Sequence, residues 1–118
     1  MLKAVAQEIV AILSEEFKVD APVFNWHGST TNGRYSVYHG IKLGPRMWRG
    51  VDCVLHEFAH HLCYKRLGLA RYTQSGGHGE AFHIALTDVA RAWYGDPMLY
   101  AWATEYHHMQ NGPKQVKS

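Results

Sequence analysis

The chain has 118 residues, 47% hydrophobic and 19% charged, and its formal net charge is +2 with histidine neutral. This length predicts one domain with one core, and the composition excludes a chain that is disordered throughout. The small net charge gives no sign of a nucleic-acid footprint or a polybasic membrane anchor. Because no apolar run reaches about 18 residues, we expect no membrane-spanning segment.

The first part of the chain predicts one helix followed by a small sheet. Residues 2–17 have an amphipathic pattern whose apolar face includes Leu2, Val5 and Ile9. Short runs at 23–26, 34–39 and 41–43 are separated by turn-rich segments and predict three short antiparallel strands. The edge of such a sheet can bind an extended peptide by strand addition.

Residues 48–67 predict a helix that ends before Gly68 and contains the pattern H-E-x-x-H at His56–His60. Positions i and i+4 lie on one helix face, so both imidazoles can reach one zinc ion. Glu57 can then accept a proton from the water that the ion activates. The alternative is a pair of hydrogen-bonded core histidines with an exposed glutamate. His61 follows His60 directly and cannot point the same way, so we expect it to be exposed.

Both cysteines, Cys53 and Cys63, fall on this predicted helix. Ten helical residues separate them by about 15 Å along the axis, which excludes a disulfide between them. Two free thiols are typical of a reducing compartment, so we predict a cytoplasmic protein.

After the central helix, residues 69–77 are polar and glycine-rich and predict a loop. Residues 78–94 predict a helix with Phe82, Val89 and Trp93 on its apolar face. Asp96 and Pro97 then fit the first positions of a last helix at 98–110.

A catalytic zinc needs three protein ligands and an open position, so a third ligand must lie outside the motif. His78, Glu80 and His83 are the candidates. His78 and Phe82 are four residues apart and share a face, which favours His78, while Glu80 and His83 remain open. Cys63, on the same face as the motif, is a further thiolate candidate, although a buried cysteine is usually a small core residue.

The combination of H-E-x-x-H at His56–His60 with H-G-x-x-F at His78–Phe82 resembles the SprT-like zinc metallopeptidases, which include the Spartan proteases. The resemblance implies that His56, His60 and His78 bind one Zn²⁺ and that Glu57 is the catalytic base. It also implies a zincin-like α+β domain, here at residues 1–112 with about four helices and a frayed tail at 113–118. The sequence shows neither the Cys-rich zinc ribbon nor the longer DNA-binding regions of many members. A DNA-associated substrate therefore rests on the resemblance alone.

The predicted function is zinc-dependent hydrolysis of peptide bonds in a protein or peptide substrate. Tyr72 and Arg71 are candidates for stabilising the oxyanion or contacting the substrate. Asp52 and Asp88 are candidates to accept hydrogen bonds from the remaining ring nitrogens. Two alternatives are a structural-zinc binding module with a fourth protein ligand and a zinc hydrolase for a non-protein amide. A closed pocket would favour a small substrate, and an open groove beside a strand edge would favour a peptide.

Overall fold

The structure, a computed structural model, describes residues 1–30, 32–47 and 50–95. In these ranges the chain forms four helices and a three-stranded sheet, which confirms the α+β class. The elements are α1 (Lys3–Phe17), β1 (Phe24–Trp26), β2 (Arg34–Ser36), β3 (Gly40–Leu43), α2 (Gly50–Leu67), α3 (Leu69–Gln74) and α4 (Glu80–Tyr94). The predicted helix at 98–110 and the tail at 113–118 lie outside the described residues. No helix within the described ranges is long and apolar enough to cross a membrane.

Helix α2 is the central element, because it packs against α1, α3, α4, β2 and β3. Its buried residues occur on every side of the helix: Asp52, Val54, Leu55, Glu57, Phe58, Ala59, His60, His61, Leu62 and Cys63. Gly68 ends it as predicted, with φ of 86° and its N–H donated to the Tyr64 carbonyl oxygen at 2.8 Å. A positive φ is one that glycine adopts without steric cost.

The sheet is mixed, so the prediction of an antiparallel sheet was wrong for one of its two pairings. The strand order is β1-β3-β2, with β2 antiparallel and β1 parallel to β3. The connection after β1 passes the end of β3, where His27 N–H donates to the Leu43 carbonyl oxygen at 2.9 Å. The chain then runs back along β2 on the other side, so β3 runs in the direction of β1.

Gly40 and Gly44 allow the hairpin to lie directly against the strand β1 and its continuation. A Cβ atom at Gly40 would lie 2.2 Å from the Val23 carbonyl oxygen, and Gly40 also has φ of +81°. A Cβ atom at Gly44 would lie 2.1 Å from the His27 carbonyl oxygen. No side chain fits at either distance, so both positions require glycine.

The two faces of the sheet differ in polarity. Ile41 and Leu43 on the central strand are fully buried, and the side chains that share their face pack against the same core. The alternation of side chains along a strand places the polar residues on the opposite face. The inner face carries Phe24, Trp26, Tyr35, Ile41 and Leu43, and the outer face carries Asn25, Arg34, Ser36 and Lys42.

Two predictions for the helices were wrong in detail. On α1, Leu2 and Val5 are 72% and 45% exposed, and the buried stripe instead contains Ala6, Ile9, Val10 and Leu13. The small Ala6 is fully buried, which permits close packing of α1 on this side. Residues 69–74 form the short helix α3, which buries none of its residues, instead of a loop. The irregular segment is 75–79, in which Gly76 and Gly77 both have positive φ, so His78 and Gly79 precede α4 instead of opening it.

Helix α4 begins at Glu80 and ends at Tyr94, close to its predicted bounds. Its inner face buries Phe82, Ala85, Leu86, Val89 and Ala90, and Trp93 packs at the margin of the core. Gly95 ends the helix with φ of +71°. The packing of α4 on α2 brings the start of α4 beside the H-E-x-x-H turn.

Candidate metal centre

Three imidazoles converge where α2 meets the segment before α4. His56 and His60 lie one turn apart on α2, with ring centroids 5.0 Å apart. His78 approaches from the other side: its Nε2 is 3.2 Å from His60 Nε2 and 3.3 Å from His56 Nε2. The candidate ligand atoms of these three residues all lie within 4.8 Å of one another. The structure therefore brings together the three histidines that the sequence predicted.

This arrangement fits a tetrahedral metal ion. Nitrogens bound to zinc at about 2.0–2.1 Å in tetrahedral geometry are roughly 3.3–3.4 Å apart, close to the spacing of the His78 ring nitrogen from its two neighbours. Neutral imidazole carries one N–H, so the His78 Nε2 can donate to only one of the two nitrogens that it faces. A shared cation accepts all three lone pairs at once, so the His56, His60 and His78 cluster can hold a metal ion.

Phe82 lies against all three imidazoles and is fully buried. Its ring centroid is 4.2 Å from that of His60, 5.0 Å from that of His56 and 4.9 Å from that of His78. This apolar contact restricts the rotation of the three rings and fixes the direction of their nitrogens. The position of Phe82 four residues after His78 was the sequence signal for this contact.

The other ring nitrogen of His60 also has a protein partner. Its Nδ1 lies 3.3 Å from the Tyr72 hydroxyl. With a metal ion on Nε2, Nδ1 would carry the proton, and its N–H would donate a hydrogen bond to the Tyr72 oxygen and orient the ring. Tyr35 stacks parallel to His60 at 6.4 Å and meets Tyr72 edge-on at 6.4 Å. The role of Tyr72 and of the exposed Arg71 as substrate contacts remains a prediction.

His61 is buried at 5% exposure, so the expectation that it would be exposed was wrong. Its Nε2 donates to the Asp20 carbonyl oxygen at 2.7 Å, and its Nδ1 accepts the Tyr35 hydroxyl at 2.9 Å. Sequence reasoning treated α2 as having one buried side, whereas β2 and the segment before β1 cover a second side. His61 therefore joins three separate parts of the chain.

Glu57 is buried at 7% exposure and faces the same cleft as the three histidines. Burial raises the pKa of its carboxyl group to about 7, and the positive charge of Arg34 opposes that rise. Gly33 lies directly above it: a Cβ atom there would be 2.9 Å from Glu57 Cγ and 2.8 Å from Cys53 Sγ. The absence of a side chain at Gly33 thus lets the chain before β2 pass over the glutamate.

The metal cleft has a volume of about 730 Å³ and runs from the histidine cluster along β2 to the outer face of the sheet. It is lined by Asn25, His27, Gly33, Arg34, Tyr35, Ser36, His39, Gly40, Lys42, His56, Glu57, His60 and His78. All three residues of β2 line it, and β2 forms one edge of the sheet in the described part of the chain.

The other candidate ligands lie elsewhere. Glu80 is exposed in the first turn of α4, and neither it nor His83 belongs to the histidine cluster. Cys63 is a buried free thiol, also outside the cluster, and Cys53 is free as well. Of the two candidate acceptors, Asp88 forms an ion pair with Arg66 at 2.8 Å, and Asp52 accepts a hydrogen bond from the Tyr94 hydroxyl.

Comparison with models of protein families, with curated proteins and with solved structures found no match for this chain. The resemblance to the SprT-like peptidases therefore rests on the two motifs alone.

Proposed function

We propose that this chain is a zinc-dependent metallopeptidase of the SprT-like kind, in which Glu57 is the general base. The observation that carries the proposal is the convergence of three imidazole nitrogens beside a buried glutamate in one cleft. Three histidine nitrogens are typical of a catalytic zinc site, in which the fourth position stays open.

When bound, zinc supplies Lewis-acid chemistry, polarising the scissile carbonyl and activating water for attack. His56, His60 and His78 would hold it, and Phe82 keeps their rings in place. Glu57 accepts the proton of the attacking water and returns it to the leaving amine nitrogen. Glu57 is buried and faces the same cleft as the three histidines, so its carboxyl group is placed for both transfers.

Two features support a peptide substrate over a small amide. The metal cleft extends along the whole of β2, and this strand is a sheet edge within the described residues. An extended peptide can therefore pair with β2 through main-chain hydrogen bonds while one of its carbonyls lies near Glu57. The alternative of a structural-zinc module needs a fourth protein ligand, and the cluster contains three residues in the ranges that the structure describes.

The test combines bound-metal analysis with hydrolysis of an unfolded protein by wild type, His78→Ala, Glu80→Ala and Glu57→Gln. We expect one zinc per chain in wild type, loss of zinc and activity in His78→Ala, and neither loss in the matched control Glu80→Ala. Glu57→Gln should keep zinc and lose activity by about 10²–10⁴-fold, the usual contribution of a general base.

Each other outcome has a definite meaning. If none of the proteins binds metal, the proposal fails and the histidines are core residues. If wild type binds zinc but hydrolyses neither the unfolded protein nor peptides, the structural-zinc module becomes the better interpretation. Hydrolysis of small amides alone would favour the non-protein hydrolase.

A further inference from the structure

A row of polar side chains crosses the outer face of the sheet and lines the metal cleft. Lys42 on the central strand is in register with Asn25 on β1 and with Arg34 on β2. Residues directly opposite each other on neighbouring strands project to the same face, with Cβ atoms about 5 Å apart. All three residues line the cleft that contains Glu57. The cleft therefore has the general base at one side and two cations in register at another.

Two like charges opposite each other destabilise a strand pair, so this arrangement indicates a binding role. Within the described ranges, neither Arg34 nor Lys42 forms an ion pair, in contrast to Lys65 with Asp20 and Arg66 with Asp88. The outer end of the cleft therefore carries uncompensated positive charge.

Arg34 lines the same cleft as Glu57, and it directly follows Gly33, where a Cβ atom would lie 2.9 Å from Glu57 Cγ. A substrate group that binds Arg34 therefore lies near the bond that Glu57 would act on. Together with Lys42, Arg34 offers donors on two adjacent strands, and a guanidinium with an ammonium suits a carboxylate.

We propose that Arg34 and Lys42 form a subsite for an acidic side chain of the peptide substrate, close to the scissile bond. This inference rests on the proposed peptidase function. If the substrate pairs with the edge of β2, the substrate residue opposite Arg34 projects to the same face as Arg34 and Lys42. Its two neighbours project to the other face. The preference for an acidic residue is therefore expected at one position and not at the adjacent ones.

A peptide carboxylate fits this subsite better than a nucleic acid does. Binding to a nucleic-acid backbone usually neutralises several phosphates along an extended basic surface. Here the cationic group consists of two side chains inside a cleft, and the whole chain has a net charge of only +2.

The experiment measures kcat/KM for a set of zinc-loaded protein variants on peptides in which Glu, Gln or Lys is placed in turn at each position around the cleaved bond. For wild type we expect Glu over Gln by about fivefold to tenfold at one position, with Lys the poorest. Arg34→Gln and Lys42→Gln should each bring this ratio towards one, and Arg34→Lys should retain most of it. Lys3 is an exposed residue of α1 away from the cleft. Lys3→Gln makes the same charge change there and should leave the ratio unchanged.

Dividing kcat/KM for the Glu peptide by that for the Gln peptide on the same variant cancels any effect of Arg34→Gln on the reactivity of Glu57, because both peptides are cleaved by the same glutamate. The ratio should also fall as the ionic strength rises from 0.05 to 0.5 M (roughly a threefold shorter screening length), since exposed charges are screened by salt. Efficient cleavage with no preference for Glu at any position would overturn the subsite and leave the peptidase proposal standing.

If no peptide is cleaved, the peptidase proposal fails, and the subsite is judged by binding alone. Fluorescence anisotropy then compares labelled Glu and Gln peptides on wild type, Arg34→Gln, Lys42→Gln and Lys3→Gln. Tighter binding of the Glu peptide that depends on Arg34 and Lys42 supports the subsite, and equal binding overturns it. Binding of single-stranded DNA that depends on both cations, without a preference for Glu, would overturn it in favour of nucleic acid.

Discussion

Helix α2 carries two adjacent buried histidines whose ring nitrogens meet different partners. Both nitrogens of His61 are satisfied by protein groups, the Asp20 carbonyl oxygen and the Tyr35 hydroxyl. On His60, Nδ1 meets the Tyr72 hydroxyl, and Nε2 faces the Nε2 of His78 at 3.2 Å. Burial is similar at 8% and 5%, so burial does not distinguish the two residues. What differs is the chemistry of the facing atoms: lone pairs that face one another favour a cation.

The largest effect is expected on bound metal. His60→Ala should reduce zinc from one ion per chain to none, because it removes one of three ligands. His61→Gln should keep the full zinc content, since its side chain can still donate to the Asp20 carbonyl oxygen. Elemental analysis of the two purified variants gives the answer. Equal loss of zinc in both would remove the proposed distinction between the two histidines.

The second effect concerns Glu57 in the metal-free protein. Its pKa is about 7 when folded against an ordinary 4.5, so the folded state binds the proton more tightly than the unfolded chain. The free energy of unfolding is therefore unaffected by this group below pH of about 4.5. It falls as the pH rises from there, and the loss levels off above pH of about 7. The cost at pH 8 is about 3 kcal/mol, since one pKa unit corresponds to about 1.4 kcal/mol.

Glu57→Gln removes this charge, so the metal-free variant should be more stable than wild type by about 3 kcal/mol at pH 8 and nearly equal to it at pH 4. Urea unfolding with a chelator at both pH values measures the difference. A constant difference across the pH range would mean that the carboxyl group of Glu57 is not desolvated in the folded protein.

The third effect is on metal affinity through Tyr72. Tyr72→Phe removes the hydroxyl that meets His60 Nδ1, and loss of such a partner usually weakens a metal site by 10–100-fold. We expect about tenfold, because the contact of 3.3 Å is long for a hydrogen bond. Competition with a zinc chelator measures the change, with Tyr64→Phe as the control. An unchanged affinity in Tyr72→Phe would show that the hydroxyl does not orient His60.

The smallest effect is on the other histidine. Tyr35→Phe leaves His61 Nδ1 without its hydroxyl donor and should destabilise the fold by about 1 kcal/mol, with zinc content unchanged. Tyr38 is 76% exposed, so Tyr38→Phe on the neighbouring turn should change stability by less than about 0.5 kcal/mol. Thermal unfolding of the two variants measures both changes in stability. A loss of zinc in Tyr35→Phe would show that the two histidine environments are coupled.

The sequence predicted the clustering of the three histidines well because its signals are local. His56 and His60 are one helical turn apart on α2, so they share a face in any fold that forms this helix. His78 lies two residues before α4, and the four-residue spacing to Phe82 still brings the two rings into contact. The structure then brings the two helices together. The identity of the metal and the hydrolysis of peptide bonds are not local properties, and they remain proposals.

The burial of His61 and the parallel pairing of β1 could not be predicted, because both depend on contacts distant in sequence. The partners of His61 lie 41 and 26 positions away. The side of β3 on which β1 pairs depends on how the chain crosses the end of that strand. For α3, the glycines at 76 and 77 led to a loop assignment for residues 69–74 as well, although these form a helix.

His60 and His78 are 18 positions apart in the chain, and the segment between them contains α3, which buries none of its residues. An ion held by both histidines therefore acts as a reversible crosslink that closes this loop. Because such an ion would bind the folded protein and not the unfolded chain, it would stabilise the folded state by an amount that grows with the zinc concentration, about 2.7 kcal/mol at 100 times the dissociation constant. The supply of zinc in the surroundings would then set how long α3 withstands proteolysis, independently of any reaction in the cleft.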